Sequence, residues 1–216
     1  MAEHRSMRRV RAGGFLAALA LAGALATGGV TLAQEEVSIT VLEPGAPATP
    51  IGETELADPT TGTATVLTLA ADEWTGAAMV EDISAFGRSA AGLYSQATSS
   101  GTATIDFLLS DMPSADAVLI LVGLDDDAAA KTQIELTINT TVVYTGESWF
   151  NNWDGTNDSN DWTTVQVLIP RGMLGSGVNS VTISNMSASG NEGEAPYVLL
   201  GAAQLTVPGV TAETAG

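Results

Sequence analysis

The sequence has no cysteine, one histidine, and only seven lysines and arginines in 216 residues. Each shortage closes a class of chemistry. Without cysteine there is no disulfide, no thiolate nucleophile and no residue to acylate in a lipoprotein. The single histidine, His4, falls in a segment read below as a cleaved signal, which leaves the mature chain without a His-based triad or His-ligated zinc. A Ser-x-x-Lys dyad fails as well, because Ala128 stands three residues before Lys131, the only lysine. No helix of ten or more residues is convincing, and no internal repeat is visible.

The first 33 residues read as a secretory signal. Arg5, Arg8, Arg9 and Arg11 form a positive n-region, Phe15–Ala26 is apolar, and Thr31-Leu32-Ala33 offers a cleavage site before Gln34. A membrane anchor is the weaker reading, because Gly23, Gly28 and Gly29 interrupt the run and a span wants about 20 predominantly apolar residues. The Arg8-Arg9 pair leaves the export route open. Cleavage takes four of the seven basic residues and one of the 25 acidic ones, leaving Arg88, Lys131 and Arg171 against 24 carboxylates, a formal charge of −21. Such a chain repels phosphate backbones and anionic lipid heads, so neither nucleic acid nor membrane is expected as a partner of the exported protein. An acidic, solvated surface is the ordinary reason for that charge.

Residues 34–63 read as a Pro/Thr/acidic linker or a loosely docked arm. Val37–Leu42 alternates as a short strand would, and Pro44, Pro47, Pro50 and Pro59 then remove four backbone donors. From Ala64 the pattern becomes short strands punctuated by turns. Thr63–Leu69 and Thr102–Leu109 are β-branched-rich, and Leu93–Gln96 is a weaker candidate. Ala117–Leu124 is continuously apolar, as in a strand covered on both faces, whereas Thr132–Asn139 alternates cleanly. A hairpin at Asn139-Thr140-Thr141 returns through Thr141–Thr145, followed by Trp162–Ile169, Ser180–Ser184 and Tyr197–Val207, the last bent at Gly201. Glu81–Phe86 is the one place for a helical turn. The expected fold is all-β: an antiparallel β-sandwich or barrel of eight or nine strands over 64–207, with 208–216 as a flexible tail.

The order of these features resembles the galactose-binding-like jelly roll, the β-sandwich of many carbohydrate-binding modules. The resemblance rests on LILVGLDDD (119–127), IELTINTTVVYTG (134–146), WTTVQVLIPRGMLGSGVNSVTISN (162–185) and APYVLLGAAQLTV (195–207). It implies a jelly roll and a polysaccharide or glycan as partner. Two departures stand out. Thr141 replaces the glycine favoured in the hairpin, and near Gly201 and Ala202 there is none of the aspartate that in many relatives helps hold a structural calcium.

Ser148-Trp149-Phe150-Asn151-Asn152-Trp153-Asp154 combines ring faces with amides and a carboxylate, the groups that stack on a pyranose and bond its hydroxyls. Trp149, Phe150, Asn151, Asn152, Trp153 and Asp154 are therefore the candidate ligand-binding residues. The competing reading is that the aromatics plug one end of the sandwich; Trp74 and Trp162 are assigned to core or rim. Asp125, Asp126 and Asp127 offer hard oxygens for a structural calcium, the one cofactor left open, or else are solvated loop charge. They do not make an EF-hand, since Ala130 and Leu136 fall where glycine and the bidentate glutamate belong. Asp106 and Glu135 alternate away from the core and are the one carboxylate pair that a small glycosidase could use. The leading expectation is a secreted, non-catalytic carbohydrate-binding sandwich. The alternative is an extracellular or cell-surface assembly protein that uses the same loop on a protein partner or a second copy.

Overall fold

Alternation turns into strands almost throughout. A computed structural model describes residues 37–42, 64–82, 86–155 and 161–215. Its strands are β1 (Ser38–Leu42), β2 (Ala64–Leu69), β3 (Ala78–Val80), β4 (Ala90–Leu93), β5 (Thr102–Leu109), β6 (Ala117–Asp125), β7 (Gln133–Ile138), β8 (Thr141–Glu147), β9 (Thr163–Ile169), β10 (Gly177–Asn185), β11 (Val198–Pro208) and β12 (Ala212–Thr214). They form two antiparallel sheets. One runs β1-β9-β6-β11-β4-β3 with β2 also paired to β11, and the other runs β12-β5-β10-β7-β8. The fold is thus the all-β antiparallel sandwich expected, with twelve strands among the described residues. The surplus includes β3 and β12, whose three residues each carry too little pattern to read.

The signal segment, residues 43–63 and residues 156–160 lie outside the described residues. So does part of the helical turn expected at Glu81–Phe86, although the Phe86 N–H does donate to the Asp82 carbonyl at 3.0 Å, one α-helical bond. Among the described residues no helix is long and apolar enough to cross a membrane.

Both ends of the sandwich domain extend past the boundaries read from sequence. β1 adds to the edge of β9 in the register Thr40↔Gln166 and buries Ile39, so at least this part of the 34–63 segment belongs to the sheet. At the other end β12 pairs with β5, and Val210 and Ala212 are buried; the segment expected as a frayed tail is in large part an edge strand. Pairing at an edge is decided by partners far away in sequence, which alternation in five or three residues does not reveal.

The main core lies between the sheets. Phe107 and Leu109 of β5, Leu119 and Leu121 of β6, Ile134, Leu136 and Ile138 of β7, and Val165, Val167 and Ile169 of β9 all point into it. β6 is continuous in apolar residues because its other face is covered too. Leu124 packs there with Ala90, Tyr94, Trp162, Tyr197 and Leu199, joined by the half-buried Phe86, Val122 and Trp153. β11 shares its second edge between β4, at Val198–Leu200, and β2, from Ala203 onward, with an irregularity between Leu200 and Ala203. The bend expected at Gly201 sits at that change of partner. There the Gly201 carbonyl accepts the indole N–H of Trp74 at 3.2 Å.

The turn between β7 and β8 is set by Asn139, which lies at φ 54°, a left-handed conformation that asparagine tolerates. Its side chain bonds the Ser180 N–H and the Met173 carbonyl, and meets Asn179, which is buried and ties Gly175 and Gly177.

Candidate functional site

The aromatic loop is fixed by backbone bonds before any of its side chains is considered. Asp125, the last residue of β6, donates its N–H to the Asn151 carbonyl at 2.8 Å and accepts from the Trp153 N–H at 3.0 Å. These two bonds make a parallel bridge between Asp125 and Asn152, so the loop continues the sheet for one step. Further pins come from the Ser148 N–H to the Thr132 carbonyl at 2.8 Å, and from the Asn151 N–H to the Thr163 hydroxyl at 2.7 Å. The Asn152 amide donates to the Ala128 carbonyl, and Lys131 donates its Nζ to the Phe150 carbonyl. A loop held this way presents its side chains in one arrangement and has little ordering entropy left to lose on binding.

Its three aromatics go three ways. Phe150 is fully buried and brings the far end of its ring against Gly123 of β6. A Cβ at Gly123 would sit 2.5 Å from the ring, so only glycine leaves the space that the phenyl fills. Phe150 is therefore an anchor in the main core, and as a sugar-stacking residue it is corrected by its burial. Trp149 is half-buried, packs on the same core, and meets Tyr144 of β8 at 4.6 Å with 52° between planes. Its indole N–H is shielded from solvent and meets no acceptor among the described residues. The Tyr144 hydroxyl lies close to it and donates its own proton to the Glu147 carbonyl at 2.6 Å; burial pushes that phenol up. Trp153 is half-buried on the far side of the loop, 5.0 Å from Phe86 in the second cluster. The two indoles thus belong to different clusters. Between them Asn151 is exposed and Asn152 half-buried; beyond Trp153, Asp154 is exposed, its N–H on the Asp161 carboxylate at 2.9 Å.

The aspartate run divides in the same way. Asp125 and Asp126 are wholly buried, and Asp127 is exposed. Asp125 takes the N–H groups of Asp126 and Thr132 at 3.0 and 3.3 Å and faces Lys131 at 3.7 Å. Asp126 takes the N–H groups of Ala128 and Tyr197 at 2.7 and 3.0 Å and the Thr132 hydroxyl at 3.3 Å. Burying a carboxylate is costly unless donors surround it, and these two are surrounded. Burial outweighs the help of Thr132 and Lys131, and pushes the Asp125 carboxyl above its ordinary 3.8. The Tyr197 hydroxyl is also pushed up, by burial first and then by Asp127 and Asp126. Two of the three proposed calcium ligands are therefore already engaged in joining the β6 end to β7 and β11. Among the described residues no group of three or more acidic, histidine or cysteine side chains is placed to hold a metal.

Asp106 and Glu135 do share the outer face of their sheet, but the register separates them. Asp106 lies level with Ser180 and Glu135 with Ser184, on opposite sides of β10. Four residues along and two strand spacings across put their Cα atoms roughly 17 Å apart, against carboxyl separations of about 5–9.5 Å in glycosidases. The structure does not bring this pair together.

Trp74 and Trp162 are buried, as expected of core or rim. What the sequence reading missed is the second aromatic cluster. Tyr94 and Tyr197 meet at 6.0 Å, and Trp162 donates its N–H to the Phe86 carbonyl at 2.9 Å while Arg88 stacks on its ring at 4.7 Å. The continuous apolar run of β6 was its only sequence signal.

No family model matches the chain, and no curated protein is detectably similar to it. Among solved structures it is similar to a family 35 carbohydrate-binding module from Cellvibrio japonicus, at 13% identity and TM-score 0.46 over 70% of this chain and 99% of that one. A family 6 carbohydrate-binding module from Clostridium cellulolyticum in complex with xylose matches at 14% identity and TM-score 0.36, over 65% and 95% of the two chains. An exo-β-1,3-galactanase from Phanerochaete chrysosporium matches at 16% identity and TM-score 0.40, over 67% of this chain; the match spans 29% of the galactanase.

Proposed function

We propose that the chain is an exported, non-catalytic β-sandwich that binds carbohydrate along the ridge Trp149–Asp154. The observation that carries this reading is the backbone-pinned loop itself, with half-exposed indoles on either side of the exposed Asn151. Phe150 is the anchor that holds the ridge, Trp149 and Trp153 supply ring edges and faces, and Asn151, Asn152 and Asp154 supply polar contacts to hydroxyls. The two indoles pack in different clusters on either side of the loop, an arrangement that suits an oligosaccharide lying across the ridge better than a single sugar. The reading requires no cofactor.

Glycan-array or polysaccharide pull-down binding by the mature chain tests it. Trp149→Ala and Trp153→Ala should each weaken binding and together abolish it, with circular dichroism showing the sandwich intact. Asn151→Ala, whose side chain is exposed, should weaken it without touching stability. Full retention by the double tryptophan variant would sink the assignment.

A further inference from the structure

The geometry points to strand exchange: we propose that the edge of β9 that holds β1 also accepts β1 from a second copy of the chain. β1 is the outermost strand of its sheet and pairs with β9 alone. Its docking is shallow. Of its side chains Ile39 is buried, Val41 is 43% exposed, and Ser38 and Thr40 face solvent. Leaving the edge thus uncovers Ile39, releases the half-buried Val37 just before it and breaks one ladder of backbone bonds, while the other strands keep their partners. What it leaves behind is specific: unpaired N–H and C=O groups along β9 and a gap for one isoleucine, which only a strand in that register fills.

The connection is longer than the intramolecular path requires. Residues 43–63, 21 in number with four prolines, join β1 to β2. β1 and β2 lie four strand spacings apart across β9, β6 and β11, about 19 Å. Leu42 is level with Thr164 and Val122, while Ala64 is level with Pro208, near residue 116 on the β6 side. That adds about 20 Å along the strands, for a direct gap of roughly 28 Å. A proline-rich segment of this length reaches up to about 65 Å. The slack lets β1 arrive at the same edge on a neighbouring molecule with identical contacts, so the two arrangements differ mainly in effective concentration. Within one chain β1 closes on itself when dilute; at high concentration, or where copies are crowded on a surface, exchange links them.

The absence of cysteine makes the test clean, since introduced thiols are the only ones present. Thr40, which is exposed, and Gln166, which is half-buried, are register partners. Full mature chains carrying Thr40→Cys and Gln166→Cys separately are mixed and oxidised over a range of concentrations. The control mixes Thr40→Cys with Thr182→Cys, which lies on the other sheet. The expected result is a disulfide dimer that grows with concentration in the first mixture and stays at background in the control. The proposal is overturned if the first mixture gives no more dimer than the control while the double variant Thr40→Cys/Gln166→Cys closes within one chain. A double variant that closes neither within nor between chains, repeated at Ser38 and Leu168, overturns it as well, because the β1–β9 register would then be wrong.

Discussion

Adding one methyl group at Gly123 should unseat the aromatic loop from beneath. An alanine Cβ there would lie 2.5–2.6 Å from three ring atoms of Phe150, whereas carbon atoms rest at about 3.5–4.0 Å. The ring would have to retreat by roughly 1 Å, and its complete burial leaves it nowhere to go. Overpacking of this kind costs about 1–3 kcal/mol. Removing the ring instead, by Phe150→Ala, empties a fully buried phenyl site and costs about 3–5 kcal/mol. The two changes touch the same contact, so they should not add: in the double variant the methyl enters space the ring has vacated, and the total should fall short of the sum by about 1–3 kcal/mol. Urea unfolding of the four proteins gives this coupling directly, provided the slope m stays constant. Gly123→Ala should also weaken glycan binding, because Trp149 and Trp153 flank the displaced residue. Strict additivity of the two substitutions would refute the packing argument, and unchanged binding would separate the anchor from the ridge.

Three further outcomes follow from the same structure. Burial raises the Asp125 carboxyl above 3.8, so the stability it contributes is complete below pH 3.8 and is lost as pH rises through the higher folded value; Asp125→Asn should remove that part of the pH dependence, and urea midpoints on both sides of pH 3.8 that run parallel for the two proteins would contradict it. Asn179→Ala should cost about 1–3 kcal/mol, since the buried amide joins Gly175 and Gly177 and meets Asn139; a midpoint within error of the parent would show those bonds to be replaced by water. Asp106→Asn and Glu135→Gln, singly or together, should leave glycan binding and stability near their starting values and reveal no hydrolytic activity to lose; turnover by the parent that either change abolishes would restore the glycosidase reading.

Periodicity made the sandwich legible where strands are long. β5, β7, β9 and β10 alternate over six to nine residues, and each alternation matches a buried inner face and an outer one. β6 was legible for the opposite reason, as an unbroken apolar run with a core on each side. β1 was legible as a strand at Val37–Leu42 but not as part of the sheet, and β12 was not legible at all, because the pairing of a short edge strand is specified by the strand it joins. The candidate site was legible as a location and not as an arrangement. Residue type placed three aromatics on one loop; it did not say that Phe150 turns inward, although Gly123 in the middle of an otherwise apolar strand is the trace of something approaching closely. Nor did the aspartate run announce its burial, since the donors that neutralise it come from Thr132 and Tyr197, brought together only by the fold.

Collisional quenching of tryptophan fluorescence tests the central claim most directly. Trp74 and Trp162 are buried, while Trp149 and Trp153 are half-exposed on the ridge. A bound polysaccharide should therefore shield the quenchable part of the emission from acrylamide, and Trp149→Ala/Trp153→Ala should remove both that part and its protection. A polysaccharide that binds the mature chain yet leaves quenching unchanged would place the carbohydrate site away from Trp149–Asp154.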